Sequence, residues 1–294
     1  MKIVLLGMNG QLGWELQRAL APLGEVLAYG HDPVADLARP ESLAALVRGA
    51  APDVIVNAAA YTAVDQAQRE PEVAHAVNAA APAVLAREAA ARGAWLVHYS
   101  TDYVFDGSGT TPWREDDPTG PLNVYGATKL AGERAIQASG CRHLILRTSW
   151  VYAARGQNFA KTMLRLALER DALSVVDDQF GAPTGAELLA DLSAHMLRTL
   201  RHRPELGGVY HAAAAGRTSW HGYAQHVIEF ARAAGRPIRV APEAVRAVPT
   251  EAFPTPAQRP KNSALNTTRL HAAFGLTLPA WQDGVQRMLR EILA

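Results

Sequence analysis

The chain has 294 residues, enough for one large domain or two modest ones, and its 49% hydrophobic and 19% charged content excludes a disordered polypeptide. Its 29 Lys and Arg nearly balance 28 Asp and Glu, and no basic or acidic run stands out, which argues against a nucleic acid or a membrane surface as main partner. The single cysteine, Cys141, excludes an internal disulfide or a cysteine-based zinc cluster.

In chain order, residues 2–7 read as a short apolar strand, 11–21 as a helix, 25–29 as a second strand and 40–49 as a second helix. The opening apolar stretch, Ile3 to Leu6, is too short for a signal-peptide core or a bilayer span, so the chain reads as soluble and cytoplasmic. A third strand is predicted over 53–57, then a long Ala-rich helix over 71–92. Further strands follow over 94–101 and 143–148, with a helix over 123–139 between them. Strands that are apolar throughout and alternate with helices predict an α/β fold: a Rossmann-like, doubly wound parallel sheet covered on both faces. After residue 148 Gly and Pro become denser, at Gly181-Ala-Pro183 and across residues 248–260, with helices over 158–169, 187–200 and 219–234. The expectation is a dinucleotide-binding domain over 1–150 and a smaller α/β substrate lobe over 151–294, partly interleaved with it.

Gly7-Met-Asn-Gly10-Gln-Leu-Gly13 follows the first strand and opens the first helix. Glycines there permit a tight turn and close approach of backbone to a pyrophosphate, which meets the positive helix N-terminus. At the tip of the second strand, where an acid would bind the adenosine ribose, the chain has Tyr29-Gly30-His31, with Asp32 beyond and Arg39 nearby. NADH and NADPH therefore both stay open as cofactors. Asp36-Leu37 is a further candidate contact, bracketing the adenine. Tyr125-Gly-Ala-Thr-Lys129 puts a phenol and an ammonium on one helix face, a turn apart. A nearby cation favours the phenolate and should lower the tyrosine pKa toward usefulness in proton transfer. Ser100-Thr101 closes the strand over 94–101, where open α/β sheets place their ligands, and a hydroxyl there can hold a carbonyl oxygen.

Together these residues resemble the extended short-chain dehydrogenase/reductase superfamily, to which the G-x-x-G-x-x-G spacing is suited, and more narrowly its dTDP-4-dehydrorhamnose reductase family. The likeness runs over essentially the whole chain. It includes Gly10-Gln-Leu-Gly-Trp-Glu-Leu16, His98-Tyr-Ser-Thr-Asp-Tyr-Val-Phe105, Leu122-Asn-Val-Tyr-Gly126, Arg147-Thr-Ser-Trp-Val-Tyr152, Asp178-Gln-Phe-Gly-Ala-Pro-Thr184 and Arg259-Pro-Lys-Asn-Ser263. The resemblance implies NAD(P)H-dependent reduction of dTDP-4-dehydro-β-L-rhamnose at C4 to dTDP-L-rhamnose, the last step in making that sugar donor. It implies Tyr125 as proton donor, Lys129 on the nicotinamide ribose, Thr101 on the carbonyl with Asp102 beside it, and Trp150 against the sugar or its nucleotide. Gly7, Gly10, Gln11, Leu12, Gly13, Asp36, Leu37, Ala60, Tyr61, Thr62 and Tyr99 would line the cofactor groove. It also implies a homodimer around Mg2+, with Glu15, Glu187 and Asp191 as metal ligands.

Two other readings stand beside this one. A nucleotide-sugar epimerase would keep its NAD and recycle it, and a non-enzymatic regulatory subunit would use the same fold without turnover. Dehydration fits less well, because Thr101-Asp102 is followed by Tyr103 and not by a second carboxylate. His221 and His226, five apart, make a poor helical metal pair. Cys141, Trp220, Phe274 and Trp281 read as packing.

Overall fold

The computed structural model describes residues 1–30 and 32–294, so His31 of the second-strand tip lies outside the described residues. Among them, parallel strands β1 (Lys2–Leu6), β2 (Glu25–Tyr29), β3 (Val54–Asn57), β4 (Trp95–Thr101), β5 (Arg142–Thr148) and β6 (Gly208–His211) form one sheet in the order β6-β5-β4-β3-β1-β2. The chain leaves β1 toward β2 on one side and returns on the other at β3. This reversal opens a crevice at the carboxyl ends of the strands.

Both faces of this sheet are buried, which is why its strands read as unbroken apolar runs. Ile3, Leu5, Val54, Val56 and Val97 face one way, under α1 (Gln11–Leu20), which supplies Leu12, Leu16 and Leu20. Val4, Leu6, Ile55, Leu96 and Ile145 face the other way. There they meet Leu43 and Val47 of α2 (Pro40–Ala50), Leu85 and Ala89 of α3 (Ala81–Arg92), and Ile136 of α4 (Val124–Ala138).

The predicted single helix over 71–92 is a short helix, Pro71–His75, a π-helical segment, Ala76–Ala80, and then α3. The wider turn coincides with Asn78, whose amide accepts from the Tyr61 N–H at 2.9 Å and donates to the Tyr61 carbonyl at 3.1 Å. Such π turns concentrate at functional sites, and this one pins a loop of the cavity described below.

Residues beyond 150 serve both halves. Helix α6 (Ala186–Leu200), which follows α5 (Phe159–Glu169), sends Leu189, Leu192 and Met196 into the core beneath α1, and β6 extends the sheet beside β5. The rest of this segment has its own apolar centre. Tyr152, Met163, Leu164, Tyr223, Val227 and Ile228 pack there with Trp281, Val285 and Leu289, drawing on α5, α7 (Trp220–Ala233) and α8 (Trp281–Leu293). A two-stranded parallel ribbon, Leu173–Val176 with Val245–Val248, edges this lobe.

Candidate active site

At the carboxyl end of β1 the chain turns on Gly7, whose φ of +90° L side chains rarely adopt and whose added Cβ would lie 2.8 Å from the Ala59 nitrogen. The Gly7 and Met8 N–H groups both donate to the Tyr29 carbonyl, at 2.9 and 3.0 Å, and Gly10 caps α1. A Cβ on Gly10 would meet only the Gly7 oxygen, at 3.4 Å, so the turn stays open for a ligand to approach. Gly13 differs from the expectation of a groove-lining residue. Its Cβ would lie 1.9 Å from the Gly7 oxygen, so its bare α-carbon lets α1 pack against the turn, and it is not part of the cavity wall.

The turn lines a cavity of about 960 Å3, near the upper end of the size that ligand sites have. Gly7, Gly10, Gln11, Leu12, Asp36, Leu37, Ala60, Tyr61 and Thr62 line it, as do Tyr99, Thr101, Asp102, Tyr125, Lys129 and Trp150. Tyr99 is fixed at both its side chain and its backbone. Its phenol shares a 2.6 Å hydrogen bond with Ser193, and its backbone carbonyl accepts from Lys129 Nζ at 2.6 Å.

Asn123 begins α4 by accepting from the Gly126 N–H at 2.9 Å, and its amide donates to the Gln258 carbonyl at 2.8 Å. This cap ties the helix carrying Tyr125 and Lys129 to a strand-less segment of the second lobe. Thr101 Oγ accepts from the Tyr103 N–H at 3.1 Å, donates to Asp102 Oδ1 at 3.2 Å and sits beside the Tyr125 phenol.

The electrostatics depart from the expectation in one respect. Burial pushes the Tyr125 phenol up to about 12; the Thr101 hydroxyl opposes this and the Asp102 charge adds to it. Lys129 is not among the groups acting on the phenol, because its Nζ is turned to the Tyr99 carbonyl and lies 3.3 Å from His98 Nε2. With no cation acting on it, the phenolate bears the cost of losing water, relieved only in part by Thr101. Burial also brings Lys129 down to about 8, against the raising effect of Glu133, and lifts Asp102 to about 7.

Of the buried polar groups here, Thr148 escaped sequence reasoning, whereas Ser100 and Asp102 were among the expected site residues. Ser100 Oγ, Thr148 Oγ1 and Asp102 Oδ2 are buried without a hydrogen-bonding partner, and all three residues line the cavity. Orphaned donors and acceptors are rare in folded interiors, and their gathering on one cavity wall fits a polar ligand. Thr148 ends β5 opposite Thr101 at the end of β4, so the strand-end position alone carried the signal for it. Trp150 takes a left-handed backbone, φ +49°, and stacks on Trp220 with ring centres 3.6 Å apart. Trp220, read from the sequence as packing, is thus part of the cavity wall.

Glu15, Glu187 and Asp191 line a second, smaller cavity. They do not fit a metal within one chain. Arg18 pairs with Asp191 at 3.0 Å and Glu15 at 3.6 Å, Arg287 pairs with Glu187 at 2.6 Å, and no three His, Cys, Asp or Glu converge on a metal position among the described residues. Within the chain these carboxylates pair with Arg18 and Arg287.

A glycine turn against a helix N-terminus, and a Thr-Tyr-Lys set on the same cavity, define an oxidoreductase of the short-chain dehydrogenase/reductase type. The model for the RmlD substrate binding domain matches residues 1–294. A dTDP-4-dehydrorhamnose reductase of Shigella flexneri is 57% identical, covering 99% of this chain and 98% of that protein. The chain belongs to the dTDP-4-dehydrorhamnose reductase family. Among solved structures, the reductase of Clostridium acetobutylicum superposes with a TM-score of 0.90 at 34% identity over 100% of both chains. That of Bacillus anthracis, in complex with NADP, gives 0.88 at 35% identity over 99% of both.

Proposed function

We propose that this protein reduces the C4 keto group of dTDP-4-dehydro-β-L-rhamnose to give dTDP-L-rhamnose, with NADPH or NADH as reductant. The observation that carries the reading is the placing of Thr101, Tyr125 and Lys129 on one cavity with the glycine turn. The residues fit a dinucleotide: the Gly10 cradle is open, helix α1 directs its N-terminus there, and a buried ammonium lines the same cavity. Bound there, the dinucleotide would supply the hydride.

The chain's own groups do the rest. Thr101, turning its hydroxyl proton away from Asp102 Oδ1, donates a hydrogen bond that orients the C4 carbonyl and steadies the developing alkoxide. Tyr125 Oη gives its proton to that oxygen. A pKa of about 12 keeps the phenol protonated at neutrality, and an alkoxide is more basic than a phenolate, so the transfer runs downhill. Lys129 holds the nicotinamide ribose. Trp150, braced by Trp220, packs on the sugar or its nucleotide.

Either reductant suits the rim of the cavity. A Cβ at Gly30 would lie 2.3 Å from Asn9 Nδ2, so a carboxylate cannot be seated there without moving Asn9, while Arg39 is exposed nearby. The proposal also takes the enzyme as a cytoplasmic homodimer, which sedimentation can test. Among the described residues, no helix is long and apolar enough to cross a membrane.

The test supplies the 4-keto sugar nucleotide with NADPH or NADH and follows loss of nicotinamide absorbance. Stoichiometric oxidation is expected, which an epimerase with retained NAD would not give. In Tyr125→Phe the rate should fall by roughly 10^2- to 10^4-fold with dinucleotide binding retained. Unchanged turnover in that variant, or no oxidation with either reductant, refutes the assignment.

A further inference from the structure

Behind the Tyr125–Lys129 pair, His98 on β4 is 1% exposed and has no part in the reaction as derived. Its neighbours fix which nitrogen carries the proton. The Ala59 N–H donates to Asn57 Oδ1 at 3.3 Å, so Asn57 Nδ2 is the atom that faces His98 Nδ1, at 3.2 Å. An amide nitrogen only donates, so Nδ1 accepts and the neutral ring holds its proton on Nε2. That nitrogen lies 3.3 Å from Lys129 Nζ. An N–H facing an ammonium sets donor against donor, whereas an uncharged amine could accept with its lone pair.

We propose that His98, oriented by Asn57, is a positioning residue for Lys129: its Nε2–H opposes the ammonium in the rear position and so frees the charged side chain for the nicotinamide ribose. This rests on the reading of Lys129 as the ribose ligand. The groups facing the amine are Glu133 on its own helix, and His98 with the Tyr99 carbonyl on β4. Glu133 favours the charged form but is itself held by Arg147 of β5, at 2.7 Å. Burial depresses both partners, and the lysine charge is the second cause that keeps His98 far below the ordinary histidine range. His98 therefore stays neutral and keeps a fixed tautomer while Lys129 titrates.

The first test is 15N NMR of the free, histidine-labelled protein, with the His98 signals assigned by their loss in His98→Gln. Protonated Nε2 and bare Nδ1 are expected; an Nδ1-protonated ring overturns the proposal. The second test measures the Kd for NADPH against pH. Lys129 titrates near 8, so wild-type affinity should weaken above that pH. In His98→Gln a side-chain carbonyl can accept from the ammonium and retain it at the rear. Affinity at neutrality should fall about tenfold and the alkaline limb should move up by about one pH unit. Asn57→Asp should do the same without touching His98, because a carboxylate accepts from Nδ1–H, shifting the ring proton to Nδ1 and leaving Nε2 as an acceptor. Unchanged affinity and limb in variants that keep the wild-type melting temperature refute the idea. None of these readouts needs the sugar, so failure of the substrate assignment would leave them standing.

Discussion

Asp102 offers a sharp test of the site's electrostatics. Its carboxyl is 2% exposed, Oδ2 has no partner, and burial lifts it to about 7 despite hydrogen bonds from Ser263 and Thr101. A carboxyl whose folded pKa lies above its unfolded value of 3.8 gives its full stability below 3.8, and that stability is lost as pH rises to about 7. Between pH 5 and pH 8 linkage makes the loss about 2.5 kcal/mol, or roughly 5 °C of melting temperature for a chain of this size. Asp102→Asn removes the titration. Other groups titrate equally in both proteins, so the difference in melting temperature between variant and wild type isolates this residue. The variant should gain on the wild type steadily from pH 5 to pH 8 and then stop gaining. A difference that stays flat across that range would refute the claim that the carboxyl is held protonated by its surroundings.

Lys129 runs the other way. Its pKa is about 8 in the fold against 10.5 outside it, so the stability tied to it is present above 10.5 and lost as pH falls through 8. Lys129→Met should therefore stabilise the ligand-free protein by about 3 kcal/mol at pH 7, with the gain fading above pH 8, when followed by thermal melting. Glu133→Gln leaves Arg147 buried without its charge partner and should cost about 3–5 kcal/mol, measured by urea unfolding; a neutral result would show that water reaches the pair. Gly13→Ala would ordinarily favour a helix, yet here the new methyl overlaps the Gly7 oxygen, so a net loss of about 1–3 kcal/mol is expected. Stabilisation in that variant would show that α1 can shift without cost.

The fold was legible because both faces of the main sheet are buried: runs such as Ile3-Val4-Leu5-Leu6 have no polar face to hide the strand. The glycine turn and the Tyr125/Lys129 pair were legible because they are local in sequence and their chemistry depends on fixed spacing. The strand β6 was not foreseen, since Gly208–His211 is short and owes its place to pairing with β5, a contact about sixty residues distant in sequence. The π segment around Asn78 was hidden inside an Ala-rich stretch of uniform helix propensity. Trp220 shows the limit most plainly: an aromatic on a helix reads as core until its stacking partner, Trp150, is located. The direction of the Tyr125 shift failed for a related reason. Spacing places a cation one turn away, but which acceptor that cation has chosen depends on β4, not on the helix.

These shifts have a common origin and a shared consequence. Burial in one cavity raises the two groups that are negative when ionised, Tyr125 and Asp102, and lowers the one that is positive, Lys129. Each movement favours the uncharged form, which is the signature of desolvation. At neutrality Tyr125 holds its proton and Asp102 is close to its midpoint, while Lys129, still below its own, remains mainly charged. The resting site therefore presents a phenolic proton for donation and a net positive group toward ligands that carry phosphates. An anion bound beside Lys129 would raise its pKa, so binding at pH 8 should draw a proton from solvent, and the enthalpy of NADPH binding should depend on the ionisation heat of the buffer. A binding heat identical in phosphate and Tris at pH 8 would mean that Lys129 does not titrate with the ligand, and that the dinucleotide lies elsewhere in the cavity.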